Sequence, residues 1–191
     1  MYLVVGLGNP GRRYERTRHN VGFLVADRLA EKWGERCSKA QLGAEVARIT
    51  LRGIEAVIAK PQSFMNLSGQ PASSLRGYYK VDVPNVIVVH DDLDIPFGQV
   101  RVKVGGGHGG HNGLRDLQAK FGDAGFVRVR FGVGRPPPGW DTADYVLGVF
   151  PLTEEAALPG LLDRSVDAVE RIIFDGVVAA MNVFNTREKG S

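Results

Sequence analysis

Six short runs rich in β-branched residues, at 2–7, 44–51, 54–60, 85–90, 98–104 and 126–134, alternate with segments of helical period. The runs at 44–51 and 54–60 are separated only by Arg52-Gly53, a hairpin signal. Helical spacing is clearest at Val21, Leu24, Val25, Leu29 and Trp33, and further helices are predicted near 67–80, 112–121, 153–174 and 177–184. Strands and helices in alternation bury their apolar faces best as layers. The prediction is an α/β fold, a single-domain mixed β-sheet flanked by helices on both faces, spanning 1–191. Arg135-Pro-Pro-Pro-Gly139 reads as a stiff surface loop, and 187–191 as a frayed tail.

Composition narrows the class without choosing a function. Apolar and charged shares of 43% and 24% are those of a water-soluble globular chain. No apolar run approaches a membrane span, and Tyr2–Leu7 is too short for a signal-peptide core, so a cytoplasmic protein is expected. Cys37 is the sole cysteine, which excludes an internal disulfide and suits a reducing compartment. A net charge of +3 permits a nucleic-acid partner without demanding one.

Glycine is the outlier. Of the nine residues 105–113, six are glycine and the others are His108, His111 and Asn112. No core can be packed from such a loop, and its backbone freedom makes it costly to order. It lies between a predicted strand and a predicted helix, which suits backbone amides or imidazoles presented to a ligand.

The remaining motifs weigh unequally. Gly6-Leu7-Gly8-Asn9-Pro10-Gly11 has the spacing of a dinucleotide-binding turn, but 12–18 shows no apolar helical face. Asp27 and Glu31, at roughly the distance of a ribose ligand, fall inside a helix instead of after a second strand. A tight turn exposing the Asn9 amide is the better reading. His19 and Asn20 precede the first apolar helix, where Asn20 would serve as the N-cap. His90-Asp91-Asp92-Leu93-Asp94 ends a buried strand, where α/β sheets bind ligands. A carboxylate there holds an imidazole in one tautomer, and Asp91 suits that role while Asp92 and Asp94 read as turn or cap residues.

His108 and His111 with Asp91 form a second combination, a zinc site, but a glycine loop is a poor platform for catalytic ligands. Cys37 sits among charges and no serine occupies a nucleophile elbow. Water activated by a histidine base is the chemistry left. Phe64-Met65-Asn66 offers an apolar wall beside an amide. Arg101 with Lys103, and Arg128 with Arg130, place cations on one face of two strands, a track for a polyanion or an ordinary solvated face.

Taken together, VGLGNPG at 5–11, TRHNVG at 17–22, FMNLSG at 64–69, HDDLDIP at 90–96 and GGGHGGHNGL at 105–114 resemble the bacterial peptidyl-tRNA hydrolase family. The resemblance implies an esterase without metal or other cofactor, acting as a monomer on peptidyl-tRNA. Carried over by residue, it makes His19 the general base and Asp91 its orienting acid. Asn112 and Asn66 would position water and the scissile ester, and Asn9 would recognise the first peptide unit. Tyr14, Phe64 and Met65 would line the cleft, and Lys103 and Arg130 would hold tRNA phosphate. The acidic run reads Asp-Asp-Leu-Asp where the family often has Asp-Glu-Leu-Asp, and the Arg135 loop has one cation where relatives often place another. A non-catalytic RNA-binding protein on the same fold, as in chloroplast splicing factors that resemble the family, is the rival. A nucleotide-binding enzyme is a third reading, tested by thermal protection with mononucleotides.

Overall fold

A computed structural model describes residues 1–186, so the tail expected at 187–191 lies outside the described residues. The strands are β1 (Tyr2–Gly6), β2 (Lys39–Gln41), β3 (Ala44–Leu51), β4 (Ile54–Pro61), β5 (Val86–Asp92), β6 (Val100–Val104) and β7 (Val127–Gly132). They form one seven-stranded sheet in the order β2-β3-β4-β1-β5-β7-β6. β1 runs parallel to β4 and β5, and β7 runs parallel to β5. β3 and the edge strands β2 and β6 are antiparallel to their neighbours. The two-residue turn between β3 and β4 has Arg52 at φ 48° and Gly53 at φ 84°, the doubly left-handed geometry that matches strand twist.

Helices α1 (Val21–Lys32), α6 (Leu158–Asp175) and α7 (Val177–Phe184) pack on one face of the sheet, and α2 (Gly69–Tyr79) and α3 (Asn112–Phe121) on the other. Side-chain alternation along β1 serves both layers. Val4 joins Val25, Leu29 and Val169 in one core, while Leu3 and Val5 join Leu75, Leu114 and Leu117 in the second. Each such fully buried aliphatic side chain contributes about 1.5–3 kcal/mol. The predicted three-layer architecture is the one observed.

Local differences from the predicted elements have physical causes. β2 carries no β-branched residue and exists by pairing with β3. The helix predicted over 153–174 is two, α5 (Leu152–Glu155) and α6, because Pro159 sits in the first turn of α6 and restarts the helix. α4 (Thr142–Val146) has no clear sequence period but is capped by Asp141, whose side chain accepts from the Asp144 amide. Residues Met65–Leu67 form a 3-10 turn, so α2 starts two residues later than predicted. Among the described residues no helix is long and apolar enough to cross a membrane.

Gly6 and Gly8 serve packing, whereas Gly11 adopts a φ of 109° in the turn. A Cβ at Gly6 would lie 2.2 Å from the Gly22 carbonyl oxygen, and one at Gly22 would lie 2.4 Å from the Leu7 backbone. A Cβ at Gly8 would meet the Phe23 ring at 2.7 Å. The start of α1 therefore rests directly on the end of β1. That contact brings the turn carrying His19 and Asn20 against the C-terminal ends of the parallel strands.

Candidate active site

The chain leaves β1 towards β4 on one side and returns to β5 on the other, so the strand order switches beside β1. Ligand crevices form at the carboxyl ends of strands at such a point. Here a cavity of about 660 Å³ opens, lined from well-separated chain segments that include Asn9, His19, Asn66, Asp91 and Asn112.

His19 comes from a 3-10 turn (Arg18–Asn20) before α1, and Asp91 from the end of β5, 72 residues away in sequence. The His19 Nδ1 lies 3.0 Å from Asp91 Oδ1 and 2.8 Å from Oδ2. Since a carboxylate only accepts, Nδ1 carries the proton and Nε2 holds the lone pair. Burial disfavours the charged imidazole, but the Asp91 charge and hydrogen bond outweigh it and raise the pKa above 6.5.

Asp91 has a second imidazole. His111 Nε2 donates to Asp91 Oδ1 at 2.9 Å. Its Nδ1 accepts the amides of Gly113 at 3.1 Å and Leu114 at 3.3 Å, so His111 is the N-cap of α3. Burial alone would push the Asp91 carboxyl up; His19 and then His111 hold it well below the usual carboxylate range. His90, beside them, is fully buried and donates from Nδ1 to the Asp91 carbonyl at 2.8 Å. Burial first, and then His111, lower its pKa to about 4, which keeps it neutral at ordinary pH.

His19, Asp91 and His111 bring three ligand atoms within 4.8 Å of one another, the set a metal ion would use. The hydrogen bonds do not fit an ion. His111 Nδ1 is taken by two amides, so its Nε2 bears a proton and has no lone pair to give. His108, the other histidine of the zinc combination, instead accepts the Gly110 amide at its own Nδ1.

Asn20 occupies the N-cap position of α1 as expected, but its side chain makes no cap bond. It clasps the Asn9 backbone: Asn20 Oδ1 accepts the Asn9 N–H and Asn20 Nδ2 donates to the Asn9 carbonyl, both at 2.9 Å. Asn9 Oδ1 in turn accepts the Met65 amide at 2.7 Å, which leaves the Asn9 NH₂ as a donor at the cavity wall. The Asn66 and Asn112 segments are also tied together, because Asp116 of α3 accepts the Gly69 amide at 2.8 Å.

Residues 3–191 match the sequence pattern of the peptidyl-tRNA hydrolase family. The chain belongs to that family. It is 52% identical to the peptidyl-tRNA hydrolase of Frankia alni over 184 residues, covering 96% of this chain and 93% of the relative. It is 51% identical to that of Nocardia farcinica over 181 residues, covering 94% of each. The crystal structure of peptidyl-tRNA hydrolase from Acinetobacter baumannii superposes with a TM-score of 0.91 at 35% identity, covering 97% of this chain and 95% of the other.

Of the residues that resemblance to the family singled out, all but Tyr14 line the cavity. Met65 is buried beneath its rim, whereas Phe64 is 58% exposed. Tyr14 lies half-buried in a separate 3-10 turn with the Arg13 guanidinium 4.7 Å from its ring centroid. Asp92 and Asp94 behave as turn residues: Asp92 accepts the Asp94 amide and the Arg130 Nε at 2.9 Å, and Asp94 pairs with Arg135. Cys37 is buried, and burial pushes its thiol up to about 12, which suits a packing residue. The sequence reading missed the cap made by His111 and the clasp made by Asn20. Ser, Thr, Asp and Asn are the usual N-cap signals, and a histidine cap carries no such mark.

Proposed function

We propose that this protein hydrolyses the ester between a peptide's C-terminal carboxyl and the 3′ ribose of its tRNA, releasing both and recycling tRNA from aborted translation. The observation that carries this is the His19–Asp91 pair, its Nδ1 bonded at 2.8 Å and its Nε2 unbonded, in a cavity walled by amides. His19 Nε2 takes a proton from water as the oxygen attacks the ester carbonyl. Asp91 stabilises the imidazolium that forms, without itself accepting the proton. As the tetrahedral intermediate collapses, the proton passes from Nε2 to the departing ribose oxygen.

A base in this position contributes about 10² to 10⁴ in rate, and one amide donor to the oxyanion about 3 kcal/mol. Asn9 and Asn112 are the donors at hand, with Asn66 beside the leaving 3′ end. Asn9, held at three points, suits recognition of the first peptide unit and so selects N-blocked substrates. Lys103 and Arg130 line the same cavity, a cationic flank for a tRNA phosphate. Neither a covalent intermediate nor a metal is needed, and a cytoplasmic monomer suffices. A purely RNA-binding role would have no use for a base oriented by a buried carboxylate.

Hydrolysis of a defined N-acetyl-aminoacyl-tRNA, with and without EDTA, tests the reading. Full turnover in chelator is expected. Activity lost in EDTA and restored by zinc would make the protein a metallohydrolase, and binding without turnover would leave the RNA-binding alternative.

A further inference from the structure

Four cations, Arg101, Lys103, Arg128 and Arg130, share one face of β6 and β7, because Arg101 stands opposite Arg130 and Lys103 opposite Arg128. Arg128 differs from the other three. It lines the cavity, yet only 2% of it is exposed, because the glycine loop covers its guanidinium. Nη1 donates to the Gly107 carbonyl at 2.6 Å and Nη2 to the Gly106 carbonyl at 2.7 Å. Its Cζ lies 4.6 Å from the ring centroid of buried Phe126, and Asp92 is bonded to Arg130 instead.

Two successive carbonyls held by two nitrogens of one planar group suit a guanidinium and not an ammonium. Those carbonyls belong to the glycine loop that runs into His108 and His111. Gly105 and Gly106 have φ of 66° and 102°, so this stretch carries no side chain of its own to anchor it. One end of the loop is held by the His111 cap on α3. At the other, the Gly105 amide bonds the Phe126 carbonyl at 3.0 Å and Gln118 Nε2 shares the Gly106 carbonyl at 3.0 Å, but only Arg128 spans the Gly106 and Gly107 carbonyls together.

We propose that Arg128 is a positioning residue of the active site, which tethers Gly106 and Gly107 so that His111 stays seated on Asp91, and that it does not contact tRNA. The inference rests on the esterase reading above.

Arg128→Lys keeps the charge and removes the fork. It is expected to lower kcat at least tenfold on N-acetyl-aminoacyl-tRNA, and by the same factor on the N-acetyl-aminoacyl ester of a CCA trinucleotide. The salt dependence of KM should not change. Hydrogen–deuterium exchange should quicken from Gly105 to His111 while the sheet stays protected. An effect confined to the KM of the full tRNA substrate, with a shallower salt slope, would make Arg128 a phosphate contact and overturn the proposal. Unchanged kcat would overturn it too, as would loss of protection throughout the sheet, which would mark a folding residue only.

A second measurement uses the parent protein labelled with ¹⁵N-arginine. Titration with a deacylated tRNA minihelix should leave the Arg128 side-chain signals in place while those of Arg130 move. Shifts at Arg128 matching those at Arg130 would overturn the proposal. If the parent hydrolyses neither ester, the esterase reading fails, while the exchange measurement still tests the tether.

Discussion

His19 and Asp91 carry the chemistry proposed for the site, and each makes a separable prediction. His19→Ala is expected to lose at least about a hundredfold in kcat with the fold intact, since a base acts in the transition state and contributes little to packing. Single-turnover hydrolysis alongside circular dichroism checks this, and near-normal turnover would remove His19 from the mechanism. The pH dependence has a definite sign. The base works only when Nε2 is unprotonated, so kcat/KM should fall with acid, with a midpoint above 6.5 because Asp91 raises the His19 pKa. The stability that the pair contributes through this shift is present below the unfolded value of 6.5 and lost as pH rises through the raised one. Asp91→Asn removes the charge and leaves the burial, so the acid limb should move to lower pH while kcat falls by about 10² to 10⁴. A pH profile that does not move would make Asp91 a structural residue.

Among the elements, α3 is the one whose placement the site depends on most directly. Its N-cap, His111, joins the helix to the carboxylate that orients the base. The two duties are separable by substitution. His111→Ala loses both and is expected to cost about 0.5–2 kcal/mol of stability through the cap alone. His111→Asn keeps an acceptor for the first amides of α3 but is too short to serve Asp91, so it should regain most of that stability without regaining kcat. Urea unfolding of the two variants beside their kcat values decides this. Equal stability of the two would show that the cap contributes nothing. The start of α1 is set differently, by backbone contact at Gly6 and Gly22 instead of side-chain bonds. The sequence marked those glycines as a motif, and only the helix lying against them shows which motif.

At the scale of the whole molecule, charge is divided between the cavity and its flank. Arg130 spends its Nε on Asp92, leaving its terminal nitrogens to a ligand, and Lys103 is exposed beside the glycine loop. If both hold tRNA phosphate, replacing either by Ala should raise KM and leave kcat nearly unchanged, since such contacts act on ground and transition states alike. Each lost contact should also shallow the plot of log affinity against log salt by about 0.7–0.9. Unchanged KM and slope in both variants would make these cations an ordinary solvated face and direct attention to Arg12, Arg13 and Arg16. Arg135, engaged with Asp94, is a weaker candidate for that path.

The resemblance to the family supplied the pairing of His19 with Asp91, whereas the layered sheet, the hairpin at Arg52-Gly53, the face of α1 and the acids placed at the end of β5 were legible in the chain alone. Each follows from a local rule: side-chain period names the buried face, turn residues name the bend, and acids after a buried strand name the crevice. The tertiary structure alone decided which other polar atoms meet. Asn20 clasps Asn9 instead of capping α1, His111 caps α3 while bonding Asp91, and Arg128 is taken up by the glycine loop although it shares a strand face with Arg130. Tyr14 likewise falls outside the cavity, and the break before Pro159 splits one predicted helix into two. The reason is common to all of these. Hydrophobic burial is non-directional and written into periodicity, whereas a hydrogen bond needs a particular partner at about 3 Å, and strand order and helix placement supply that partner from distant sequence.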